Sequence, residues 1–122
     1  MKSQKFSTKK QVKSFLHAFN GLKIGLKEEH NMRIHLLATL CVLCVSIFFN
    51  INVNEWFAVI FAIGLVFAME LINSAVENLA DFVSLKKHDS IKKIKDLAAA
   101  AVLVSAIVAL VVGLIIFIPK IV

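Results

Sequence analysis

From Thr8 to Lys27, apolar residues return every three or four positions: Phe15, Ala18, Phe19, Leu22 and Leu26, with Lys9, Lys10, Lys13, Lys23 and Lys27 around them. That spacing predicts a basic amphipathic helix lying on a membrane surface. The pattern changes after Arg33. Ile34 to Phe49 is almost wholly apolar and, with Asn31 to Arg33 in the interface, is long enough to cross a hydrocarbon core of about 30 Å. Asn50-Ile51-Asn52-Val53-Asn54-Glu55 reads as a turn, and Trp56 beside it as an interfacial anchor. The purely apolar part of the next span, Trp56 to Met69, covers only about 21 Å at 1.5 Å per residue. That helix therefore has to continue through Glu70 and past Glu77 to leave the bilayer. Ser84 to Asp96 reads as a polar connection, and Leu97 to Ile118 as a third, uninterrupted span closed by Pro119 and Lys120.

The continuation of the second span carries the chain's most costly arrangement. At about 100° per residue, Glu70, Asn73, Ser74, Glu77 and Asp81 fall within roughly 50° of one direction, with Leu71, Ile72, Ala75, Val76, Leu79, Phe82 and Val83 opposite. Carboxylates at a membrane boundary are seldom kept without a task, so this stripe is where chemistry is expected.

Composition agrees with the pattern. In 122 residues, 59% are hydrophobic and one is proline, more apolar content than a small water-soluble core can bury. The net charge of +6 does not point to nucleic acid, because the cations sit in blocks flanking the apolar spans. Eight Lys and Arg precede span one, none lies in the 50–55 turn, five lie in 84–96 and one follows span three. The N-terminus and the 84–96 loop are therefore expected on the cytoplasmic side of the membrane, in a multi-pass protein. Cys41 and Cys44 lie inside an apolar run and read as packing, while His17, His30, His35 and His88 have no zinc-ligand spacing. No cleavable signal is expected in the first residues. The whole chain, 1–122, reads as one membrane domain: a surface helix within 1–30, spans at 34–51, 56–83 (with a cytoplasmic extension) and 97–118.

Three clusters meet at the predicted cytoplasmic boundary: Glu28 and Glu29, the Glu70–Asp81 stripe, and Lys95-Asp96. Carboxylates can bind Mg²⁺ together with substrate phosphates, a second carboxylate can take a proton from an alcohol, and lysines can neutralise phosphate oxygens. The sum is phosphoryl transfer to a hydroxyl at the membrane surface. Gly21, Gly25, Gly64 and Gly113 form no known nucleotide-binding loop, so any ATP site is non-standard. A rival class, a small channel or transporter component using the stripe as a cation or proton relay, requires polar groups through the membrane. Spans one and three hold no acidic, basic or imidazole side chain apart from His35, which counts against it. A non-enzymatic scaffold explains the spans but not the stripe, whereas Glu70 and Glu77 as a polar helix–helix seam without chemistry stay open at this point, since buried polar groups also glue membrane helices.

The run Glu70-Leu-Ile-Asn73-Ser74-Ala-Val-Glu77-Asn78, then Asp81, with Lys95-Asp96 downstream and Glu29-x-x-x-Arg33 upstream, resembles the small bacterial diacylglycerol kinase and undecaprenol kinase family over nearly the whole chain. The resemblance implies an all-α membrane protein, an N-terminal amphipathic surface helix plus three transmembrane helices per protomer. It also implies a bacterial inner membrane, a homotrimer with active sites shared between subunits, and transfer of the ATP γ-phosphate to a lipid hydroxyl. By position it implies Glu70 as catalytic base, supported by Asn73, and Glu29 with Glu77 as holders of Mg²⁺ on the ATP phosphates. Glu28 competes for that place, but the spacing to Arg33 selects Glu29. Lys95 and Asp96 match nucleotide contacts, Lys86, Lys87 and His88 the loop covering the nucleotide, and Lys10 and His17 positions near it on the surface helix. At the lipid side, Leu97-Ala98-Ala99 replaces the hydroxyl-bearing run of diacylglycerol kinases. Ala99 and Asn78 thereby favour undecaprenol as acceptor, with diacylglycerol left open.

Overall fold

A computed structural model describes residues 7–84, 86 and 88–122. Four helices follow one another: α1 (Thr8–Glu28), α2 (His30–Phe48), α3 (Val53–Val83) and α4 (Asp89–Ile121), and the described residues contain no strand. The last three are long and apolar enough to cross a membrane. The expected all-α membrane architecture is thus the one observed.

One extended residue, Glu29, separates α1 from α2. There the Arg33 guanidinium donates to the Lys27 carbonyl at 3.4 Å, taking up one of the acceptors left free at the end of α1. Gly25 lets α1 approach α3 closely. A side-chain carbon at that position would stand 3.2 Å from Leu71 Cδ2 and 3.5 Å from the Met32 methyl, whereas Gly21 faces open space. Met32 is sealed in this corner at 0% exposure. Phe15 and Phe19, each 66% exposed, form an apolar face that no other described residue covers. This is the face a surface helix offers to lipid.

The opposite end of the bundle is built around the α2–α3 turn. Asn50 takes a positive φ of 50°, a left-handed conformation that asparagine tolerates better than most residues. Asn52 and Glu55 exchange side-chain to backbone hydrogen bonds of 2.9 and 3.0 Å, a capping box that starts α3. The second Glu55 oxygen meets Lys120 at 3.1 Å and ties the start of α3 to the end of α4. Ile51, Val59 and Ile116 form the core here, with Val42, Phe49, Trp56 and Phe117 against them. Trp56, expected as an interfacial anchor, also packs on this cluster. Buried Ser46 and Ser105 satisfy their hydroxyls on their own helices, donating to Val42 and Val102 carbonyls at 2.7 Å.

Several helix boundaries differ from expectation. The residues expected to form a polar connection up to Asp96 are helical from Asp89 onward, so only a short segment links α3 to α4. Asp89 sits favourably at the positive end of the helix, Lys92 and Asp96 pair across one turn at 2.6 Å, and no glycine or proline interrupts. A polar face is not a helix break. The helix also runs through Pro119 to Ile121, and α2 begins four residues before Ile34. At 1.5 Å per residue, α3 and α4 are about 47 and 50 Å long, so each projects well beyond a hydrocarbon layer of about 30 Å.

The tight α1–α3 approach makes a substitution series decisive. Gly25→Leu should overpack the Leu71–Met32 corner and lower stability by about 1–3 kcal/mol, while Gly21→Leu should leave it unchanged. Thermal unfolding of both variants in detergent micelles measures the difference.

Candidate functional site

Helical spacing places the polar stripe of α3 on the side facing its neighbours, graded in depth. Glu70 is 2% exposed, Asn73 and Ser74 are buried, Glu77 is half-buried, and Asp81 is exposed. A buried carboxylate is tolerated only with a hydrogen-bonding partner. Glu70 finds it on α2, where His35 Nε2 lies 3.0 Å from its Oε1. An ionised carboxylate can only accept, so the imidazole N–H donates. Further along the stripe, the Asn73 amide reaches Glu77 Oε1 at 3.5 Å, a long contact, and its own Oδ1 is buried with no partner among the described residues. The Asn78 amide donates to the Ser74 carbonyl at 2.8 Å.

His35 also lines an apolar groove between α2, α3 and α4, which runs past Val42, Val59, Ala62 and Val66 to Phe117 and encloses about 120 Å³. The groove's walls are almost wholly hydrocarbon, and the imidazole is the polar group nearest the carboxylate.

Beyond the end of the stripe, the last turn of α3 and the first turns of α4 enclose a pocket of about 490 Å³, with Asp81, Lys86, His88, Lys92, Lys95 and Asp96 in its lining. Lys95 crosses from α4 to Asp81 on α3 at 2.6 Å, and this hydrogen bond, helped by the charge of Asp81 and of Glu77, raises the ammonium pKa above its ordinary value. Asp96 is engaged by Lys92, whose pKa is raised for the same reason. The pocket therefore gathers cations and carboxylates already ordered by one another, on a polar surface open to water.

Four of the residues singled out as nucleotide contacts, Lys86, His88, Lys95 and Asp96, thus share one pocket. Lys87 lies outside the described residues. Lys10 and His17 are exposed on α1 and do not line that pocket. Ala99 is exposed on α4, just past it. Glu29 lines a groove between α1 and α3 with Gly25, Leu71, Ser74 and Asn78, and Glu77 lies between those last two positions in the chain. Among the described residues no three His, Cys, Asp or Glu side chains gather where they could hold a metal alone. Glu29 and Glu77 remain two hard oxygen donors of the kind that suits Mg²⁺ when phosphate oxygens complete its shell. Two features escaped sequence reasoning. His35 stood out only as the one imidazole inside a span, and the Asp81–Lys95 bridge joins residues whose helices meet solely in three dimensions.

Comparison with known proteins follows the same residues. The family described as prokaryotic diacylglycerol kinase matches residues 16–117. A protein named undecaprenol kinase from Bacillus subtilis is 37% identical over 108 residues, 88% of each chain. A diacylglycerol kinase from Helicobacter pylori strain J99 is 34% identical over 100 residues, 81% of this chain and 77% of the other. One from Escherichia coli K12 is 26% identical over 100 residues, 82% of each.

Removing the partner of Lys95 tests the pocket electrostatics. In Asp81→Asn the Lys95 pKa should fall toward that of a free lysine, because a raised value depends on the anion. Titration of the side-chain ammonium by ¹⁵N NMR measures it, and an unchanged or higher value would contradict the geometry.

Proposed function

Because the chain belongs to the prokaryotic diacylglycerol kinase family and is a lipid kinase, we propose that it transfers the γ-phosphate of ATP to the hydroxyl of a membrane lipid, undecaprenol in preference to diacylglycerol. The observation that carries this reading is Glu70: a carboxylate 2% exposed, hydrogen-bonded by His35, at the point where the uninterrupted apolar run of α3 ends. A base there meets a lipid alcohol at the edge of the hydrocarbon layer, without a water-filled substrate pocket.

The lysine and arginine distribution supports a cytoplasmic position for this end of the bundle, on the inner membrane of a bacterium, where ATP is available. A lipid tail lying along the apolar groove brings its hydroxyl to the His35 end, beside Glu70. Glu70 takes the hydroxyl proton as the lipid oxygen bonds to the γ-phosphorus. The bond from that phosphorus to its bridging oxygen breaks, and ADP leaves. Lys95, Lys86 and His88 face the pocket in which the triphosphate is bound. Glu29 and Glu77 would hold Mg²⁺, which would supply neutralisation of phosphate charge. Asn73 stands one turn from the base and orients it or the alcohol. In a homotrimer, Lys10 and His17 on the exposed α1 are free to serve a neighbour's pocket. The undecaprenol preference rests on Ala99 where a hydroxyl is absent and on the 37% identity to the Bacillus subtilis undecaprenol kinase.

The test is labelled ATP and Mg²⁺ with the purified protein in lipid micelles, offering undecaprenol and diacylglycerol in parallel. Label should enter undecaprenol with the higher kcat/KM, and label in neither lipid would overturn the reading. Glu70→Gln should lower kcat by about 10²–10⁴-fold, the range of a general base, with ATP binding retained. Glu77→Gln should instead weaken Mg²⁺-dependent ATP binding. Equal loss of ATP binding in the two variants contradicts their separate roles.

A further inference from the structure

Glu70 carries two carboxylate oxygens, and a base is efficient only when one of them is held toward its substrate. Among the described residues a single side chain hydrogen-bonds it: His35, from a different helix, at 3.0 Å to Oε1. The Glu70 side chain is 3% exposed and that of His35 24%, so water competes little for the contact. His35 also forms the polar end of the apolar groove that leads to this point. The imidazole therefore touches both the base and the path along which an apolar acceptor arrives.

We propose that His35 is a positioning residue for phosphoryl transfer, its Nε2–H holding Oε1 of Glu70 so that Oε2 is left to receive the proton of the lipid hydroxyl. The inference rests on the lipid kinase reading above and adds a residue to it. With the N–H in place the carboxylate has one orientation; without it the group is free to turn away from the place where the lipid hydroxyl arrives. His35 is not among the described residues that line the pocket of Lys95 and Asp96, so its removal acts on the acceptor side of the reaction and not on ATP.

Three variants separate positioning from bulk. His35→Gln can place an amide N–H where Nε2 stands, His35→Asn falls a bond short, and His35→Phe keeps the ring without a donor. In the micelle assay with undecaprenol, H35F and H35N should lose roughly 10- to 100-fold in kcat, the worth of a hydrogen bond to a charged group, with the KM for ATP unchanged. H35Q should recover most of the loss. On a Glu70→Gln background, H35F should bring no further loss, because both changes remove one unit. Should H35F fail to insert, the contrast between H35Q and H35N decides. A wild-type rate in H35F, H35Q as slow as H35N, or a KM for ATP that rises in step overturns the proposal. Wild-type protein that labels neither lipid marks failure of the kinase reading itself, a result that no comparison among His35 variants can mimic.

Discussion

A carboxylate drawn into a helical bundle at the edge of the hydrocarbon layer has to be compensated by a donor from elsewhere in the chain, and the Glu70–His35 hydrogen bond meets that demand. Its geometry constrains the bundle. His35 lies fifteen residues before Asn50 and Glu70 eighteen after Asn52, so at 1.5 Å per residue both stand about 22–27 Å from the α2–α3 turn. The left-handed Asn50 and the capping box at Asn52 set the return of the chain that brings them level. The Glu55–Lys120 pair then fastens α4 to the same end.

From that fixed end, α3 and α4 run side by side farther than the hydrocarbon layer is thick. Their excess length is what creates a polar chamber outside the membrane. Apolar walls surround His35 and the groove, whereas lysines and aspartates surround the pocket beyond. Glu70 and the buried Asn73 belong to the first environment, Asp81 and Lys95 to the second, and half-buried Glu77 stands between. The proposed reaction, joining a hydrocarbon-borne alcohol to a water-borne triphosphate, needs both environments within a few helical turns, and a single continuous α3 supplies an apolar and a polar stretch in that order.

Much of this was legible in the chain before folding was considered. Three apolar runs separated by polar ones can satisfy their backbone in lipid only as helices, and the α3 stripe follows from 3.6-residue periodicity alone. The start of α4 is less legible, because a charged segment reads as a loop. Lys92, Lys93, Lys95 and Asp96 occupy helical surface that water solvates, which costs the helix nothing. Gly21 and Gly25 stand one turn apart on α1, yet an added side-chain carbon would meet a neighbour within 4 Å only at Gly25.

Helix identity, membrane residence and the polar face of α3 are local properties, set by hydrophobicity and by a short-range period that any reader of the chain can count. Which partners those polar groups take is not local. The bonds from His35 to Glu70 and from Lys95 to Asp81 depend on how neighbouring helices are rotated and how far each has slid along its axis. Rotation and slide are chosen by close packing at points such as Gly25, Met32 and the Ile51–Val59–Ile116 cluster. Those contacts join residues distant in the chain, so no periodicity along it can announce them.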